Sequence, residues 1–115
     1  MASVNQDATN PVPVPEIDAQ AAAKAHGSGE AMFVDVREPE EWAEGHIPGA
    51  LHIPLAQLPQ RASELPADTD LILVCRSGAR SYLATEFLAF KGFHRAANLA
   101  GGMLAWEDAR LPVTR

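Results

Sequence analysis

The 115-residue sequence holds one cysteine, Cys75, and one tyrosine, and only 6% of it is aromatic. A single cysteine rules out an intrachain disulfide, a cysteine-rich zinc site and a two-cysteine redox motif, and this usage fits a reducing compartment. Long apolar runs are missing as well. No stretch approaches the ~20 residues that span a bilayer, and residues 1–15 lack the basic segment and apolar run of a signal peptide. The chain is therefore expected to be soluble and cytoplasmic. Positive charge is scarce, with 9 Lys+Arg against 15 Asp+Glu and a formal net charge of −6. That balance argues against nucleic-acid or anionic-membrane contact. A small anion stays within reach, because a few clustered arginines outweigh a weak global field at short range.

Hydrophobic residues make up 47% of the chain, the usual globular share, and the length suits one domain with one core. Residues 1–15 carry Pro11, Pro13 and Pro15 among polar residues and are expected to form a flexible tail ahead of a domain over residues 16–115. Asp18 is placed to cap a helix over residues 21–25, which Gly27-Ser28-Gly29 ends. Ala31-Met32-Phe33-Val34-Asp35-Val36 and Ala50-Leu51-His52-Ile53 are short apolar runs of strand type. Between them Glu38-Pro39-Glu40-Glu41-Trp42 has the composition of a helix start. Leu55, Leu58, Ala62 and Leu65 recur at helical spacing.

The strongest strand signal is Leu71-Ile72-Leu73-Val74-Cys75, apolar at every position, which suits a central strand covered on both faces. A helix with Leu83, Ala84, Phe87 and Leu88 as its apolar stripe follows, then a weaker strand at Arg95-Ala96-Ala97-Asn98-Leu99 and a last helix with Leu104 and Trp106. Strands alternating with helices at this spacing predict an α/β fold with a largely parallel sheet. Ligands bind such sheets beyond the carboxyl ends of the strands, and Cys75 lies at that end of the best strand.

Chemistry concentrates in Cys75-Arg76-Ser77-Gly78-Ala79-Arg80-Ser81. The segment joins a buried strand to a helix N-terminus, where backbone N–H groups lack intrahelical partners and the dipole is positive. Gly78 lets the loop turn successive N–H groups inward as an anion nest, and Arg76 and Arg80 add two cations. Dipole, amides and arginines all favour the thiolate; comparable settings lower a thiol pKa from ~8.5 to roughly 3.5–7.5. The competing reading, an inert structural cysteine, leaves two arginines and a glycine beside a buried thiol without a packing purpose.

These residues resemble the active-site loop of rhodanese-like domains, in which a cysteine heads a six-residue loop and carries a persulfide during turnover. Asp35-Val36-Arg37-Glu38-Pro39 with Glu41-Trp42 looks like that family's first signature. Gly45-His46-Ile47-Pro48-Gly49-Ala50 looks like its second, and Leu99-Ala100-Gly101-Gly102 with Trp106 and Leu111-Pro112-Val113 like its C-terminal end. In family order the matches span residues 17–113.

The resemblance implies a five-stranded, mainly parallel sheet flanked by helices. It also implies a sulfurtransferase of thiosulfate:cyanide type, needing no metal or organic cofactor. A small anionic sulfur donor would load Cys75, and a thiol, a protein cysteine or cyanide would unload it. By the same resemblance Cys75 is the nucleophile and Arg76 and Arg80 bind the donor. Ser77, Gly78, Ala79 and Arg80 supply amides, and Ser81 caps the helix beneath the loop. Arg37 and Glu41 are expected to form a structural ion pair. Asp35, beside the pocket, is an accessory candidate. His46 is expected to be a hydrogen-bonded loop residue rather than an acid or base, and Trp42 and Trp106 pack. Two rival readings stand beside this one: a persulfide carrier or sensor with little turnover of its own, and a phosphatase or arsenate reductase of the same fold. The second requires a loop one residue longer than the one here, since four residues separate Cys75 from Arg80.

Overall fold

A computed structural model describes residues 13–115; the first twelve positions of the expected tail lie outside the described residues. In chain order the elements are β1 (Glu16–Ile17), α1 (Ala19–Ser28), β2 (Ala31–Asp35), α2 (Pro39–Glu44) and β3 (Leu51–His52). A 3-10 turn (Leu55–Gln57), the single-turn α3 (Leu58–Arg61) and a second 3-10 turn (Ala62–Glu64) follow. Then come β4 (Asp70–Val74), α4 (Ala79–Phe90), β5 (Ala96–Leu99) and α5 (Gly102–Asp108). The sheet has five strands in the order β1-β5-β4-β2-β3, and every pairing within it is parallel. This is the α/β architecture anticipated above. Among the described residues no helix is long and apolar enough to cross a membrane.

β4 lies in the middle and reads as a continuous apolar run because both of its faces are covered. Alternate side chains divide between two cores. Leu71, Leu73 and Cys75 join Val34, Val36 and Leu88 on one face, while Ile72 and Val74 join Phe33, Leu99 and Trp106 on the other. Trp106 is fully buried, and its Nε1 donates to the Pro112 carbonyl at 2.7 Å.

Asp18 caps α1, its Oδ1 accepting from the Ala21 amide at 2.8 Å, a bond worth about 1 kcal/mol. The helix starts two residues before the expected span and runs on through Ser28. The periodic segment after Pro54 is broken into three short turns rather than one helix, since Pro54 and Pro59 each withhold an N–H. Two-residue β1 had no local signal. It joins the edge of the sheet, and the Asn98 amide donates to the Pro15 carbonyl at 2.8 Å, within the segment expected as tail.

The buried face of α4 differs from the expected one. Leu83 is 55% exposed, and Ser81, Ala84, Thr85 and Leu88 turn inward. The spacing 81, 84, 85, 88 is a proper helical stripe, and it is the one that brings Ser81 under the loop after β4.

Candidate active site

The chain leaves β4 at Val74 and enters α4 at Ala79. Cys75, at the start of this crossing, has no exposed surface and belongs to the first core. Its sulfur accepts from the Gly78 amide at 3.1 Å, the Ser81 amide at 3.3 Å and the Ser81 hydroxyl at 3.3 Å. In effect the sulfur caps the helix: Gly78 is the N-cap residue and offers no side chain for the purpose. Burial pushes the Cys75 thiol up. The Ser81 hydroxyl and the amides of Ser81, Gly78 and Ser77 pull it down further, and the net position is below the ordinary thiol value. Neutral donors, more than the expected arginines, make the sulfur acidic.

Two glycines allow the loop to close this tightly. Gly78 has φ +102, and a Cβ there would meet the Gly101 nitrogen at 3.2 Å. Gly102 has φ +54, and a Cβ there would fall 2.6 Å from the Arg76 carbonyl oxygen and closer still to that of Cys75. That approach lets the Met103 amide donate to the Cys75 carbonyl at 2.8 Å and the Leu104 amide to the Arg76 carbonyl at 3.0 Å. With both carbonyls held by the start of α5, the loop's amides are free to turn toward the sulfur.

Asn98, on β5, was not singled out by the sequence and belongs to the same network. Its Nδ2 donates to Glu16 Oε2 at 2.9 Å and to the Gly78 carbonyl at 3.1 Å. These bonds fix the amide so that Oδ1 faces the Ser81 hydroxyl. That hydroxyl has one hydrogen and two acceptors, Asn98 Oδ1 and the sulfur, so the proton's position follows the charge on Cys75. A buried polar residue in a short strand was the available signal.

Arg76 and Ser77 are exposed. Arg76 lines a cleft of about 240 Å³ with Arg37, Glu41, Glu44, Leu104 and Glu107, and makes no ion pair among the described residues. The amides of Ala79 and Arg80 open the first turn of α4, where intrahelical partners are lacking.

The Arg80 guanidinium does not point freely into the loop. Nη1 and Nη2 each donate to one oxygen of Glu41 at 2.8 Å. Arg80 holds the Glu41 carboxyl at about 2, against partial burial and with help from the Glu38 amide. The expected pair of Arg37 with Glu41 is therefore not formed. Arg37 instead binds Asp35, with Nε to Oδ1 at 2.9 Å and Nη2 to Oδ2 at 2.8 Å, and its Nη2 also donates to the Gly45 carbonyl at 2.7 Å. β2 ends at Asp35 and the chain bends at Arg37, whose own amide donates to Asp35 Oδ1 at 3.0 Å; this Asx-type turn brings the two side chains together before α2 has begun.

Both members of that pair are buried, and among the described residues the Asp35 carboxylate hydrogen-bonds to Arg37 and not to the sulfur. His46 Nδ1 donates to the Trp42 carbonyl at 3.0 Å, and its ring stacks on Trp42 at 3.5 Å between centroids. Ser81 does not act as the helix cap; it lies inside the first turn and faces the sulfur and Asn98. Among the described residues no group of three or more His, Cys, Asp or Glu could hold a metal ion.

The chain is similar to known proteins in sequence and in fold. A family model described as the rhodanese-like domain matches residues 18–109. A protein of Allochromatium vinosum named sulfurtransferase is 44% identical over 101 residues, covering 87% of this chain and 94% of its own. The crystal structure of a rhodanese-related protein from Thermoplasma volcanium superposes with a TM-score of 0.81 at 29% identity, over 87% of this chain and 97% of that one. A thiosulfate sulfurtransferase from Pseudomonas aeruginosa also gives 0.81, at 27% identity, over 89% of this chain but 20% of its own.

Proposed function

The chain belongs to the rhodanese-like domain family, and on that premise we propose that it is a sulfurtransferase in which the Cys75 thiolate takes a sulfane sulfur from a small anionic donor and passes it to an external acceptor. The observation that carries this reading is the ring of three neutral donors on the Cys75 sulfur, two amides and a hydroxyl. Such donors stabilise a thiolate without pairing it to a cation that would have to be displaced during reaction.

With thiosulfate as donor, Cys75 attacks the outer sulfur and sulfite departs with the electron pair of the broken S–S bond, leaving a persulfide. Cyanide, a small thiol or a protein cysteine then attacks the terminal sulfur and regenerates the thiolate. Splitting the transfer into two displacements is covalent nucleophilic catalysis. The Ser77 and Gly78 amides attend the sulfur, so the amides of Ala79 and Arg80 are left for the donor's oxygens, and exposed Arg76 supplies the cation. Arg80 acts through its amide, its guanidinium being held by Glu41. The sulfur has no exposed area, so loading includes a rotation of the Cys75 side chain toward the loop's opening. The lone cysteine cannot resolve its own persulfide; the acceptor comes from outside.

The test is thiocyanate formation from thiosulfate and cyanide, with mass spectrometry of the protein after donor alone. The wild-type chain gains one sulfur atom at Cys75 and turns over. Cys75→Ser gains none, and its rate drops by roughly three orders of magnitude or more, while its circular dichroism is unchanged. Retained turnover in that variant refutes the mechanism.

A further inference from the structure

Glu41 reaches from α2 to the loop after β4 and grips Arg80 with both oxygens, while its Oε1 also accepts from the Glu38 amide at 3.0 Å. A carboxylate held by three bonds does not swing aside freely. The planar fork of Arg80, which matches two oxygens of a sulfonate or sulfate, is thereby already filled. The other arginine deep in the adjoining cleft, Arg37, is filled in the same way by Asp35 and the Gly45 carbonyl. Arg76 is left to meet an incoming anion, and it shares the cleft with Glu44 and Glu107. The nucleophile itself is negative when reactive. A second negative charge on the donor therefore meets a rim whose cations are largely compensated.

We propose that Glu41 is a specificity-determining residue: by occupying Arg80 it tilts the sulfur site away from doubly charged donors and toward donors whose transferable sulfur rides on a singly charged carrier, such as a thiosulfonate anion. This rests on the sulfur-transfer reading above. The chemistry is the same for both donor classes. The Cys75 thiolate bonds to the outer sulfur of R–SO2–S⁻, the bond from that sulfur to the sulfonyl sulfur breaks, and its electron pair leaves on the sulfinate. The side chain becomes a persulfide anion. Thiosulfate reacts identically, with sulfite as the departing dianion. The two donors differ at the reacting atom by nothing, and in total charge by one.

The experiment measures kcat/KM for thiosulfate and for methanethiosulfonate, each with cyanide as acceptor, in the 115-residue wild-type chain and in two variants. Glu41→Gln releases Arg80, so the thiosulfate-to-thiosulfonate ratio rises by about fivefold, mainly through the KM for thiosulfate. Arg80→Met strips the partner and leaves a bare carboxylate at the rim, so the ratio falls. An unchanged ratio in both active variants, or movement in the same direction in both, overturns the role of Glu41 while leaving sulfur transfer intact. Should Glu41→Gln not fold, Arg80→Met decides alone: its ratio falls or the proposal is wrong. A wild-type protein that transfers sulfur from neither donor, and gains none by mass, removes the sulfurtransferase reading and this inference together.

Discussion

Two acidic groups sit at the carboxyl ends of neighbouring strands and are treated in opposite ways. Asp35 closes β2 and is level with Val74 of β4, the residue before Cys75. Both Asp35 and Cys75 are buried and both are surrounded by donors. Asp35 is compensated by a full cation, the equally buried Arg37. Cys75 is compensated by dipoles, two amides and a hydroxyl aimed at its sulfur. A charge locked to a counter-charge is spent on architecture, because breaking the pair strands two ions in a poor solvent. A charge held by dipoles keeps its lone pairs on offer. The carboxyl end of the same sheet thus carries a clamp and, on the sulfur-transfer proposal, a nucleophile side by side.

The sharpest way to break that comparison is to remove the clamp. Asp35→Ala leaves Arg37 buried without its partner and is expected to lower unfolding free energy by about 3–5 kcal/mol, read by chemical denaturation. Asp35→Leu combined with Arg37→Met removes both charges and recovers most of that loss. If the single variant is as stable as wild type, the pair is not structural.

Gly102→Ala comes second. A side chain at φ +54, pressed against the carbonyls of Cys75 and Arg76, costs about 2 kcal/mol and pushes the loop off the sulfur, so the thiol pKa climbs as stability falls. A destabilised variant with an unaltered thiol titration shows that the approach of α5 does not shape the donor ring.

The mildest change is Ser81→Ala, which removes one of the three donors. Reaction with a small alkylating reagent rises with pH as thiol gives way to thiolate and levels off above the pKa, which in the wild-type chain lies below the ordinary thiol value. In the variant the levelling moves to higher pH, because a lost donor to the charged form favours the protonated one. No displacement of that curve means the hydroxyl serves Asn98 alone.

Much of this was legible in the residues. The unbroken apolar run of β4, the cap at Asp18 and the composition of the Cys75 loop are local signals, and each is written within a few neighbouring positions. The sequence motif also gave the right family, as the match over residues 18–109 shows. What escaped depends on contacts between distant segments. Glu41 and Arg80 lie 39 positions apart, and no spacing rule joins them; the nearer Arg37 is taken by Asp35 where the chain bends after β2. Asn98 meets Ser81 across 17 positions and Glu16 across 82. Leu83 was mistaken for a core residue because apolar character alone does not fix a helix's rotation. The polar Ser81, which faces the sulfur, does.

The concealment of the Cys75 sulfur has a bearing on how the protein survives its own chemistry. A thiolate under cover is screened from bulky electrophiles, which react fastest with exposed sulfur. In the proposed transfer a second sulfur lengthens the side chain by a bond of ~2 Å, which the covered site of Cys75 has to accommodate or turn outward. On the sulfur-transfer proposal, the empty protein keeps its reactive end covered and the loaded one extends it toward a recipient.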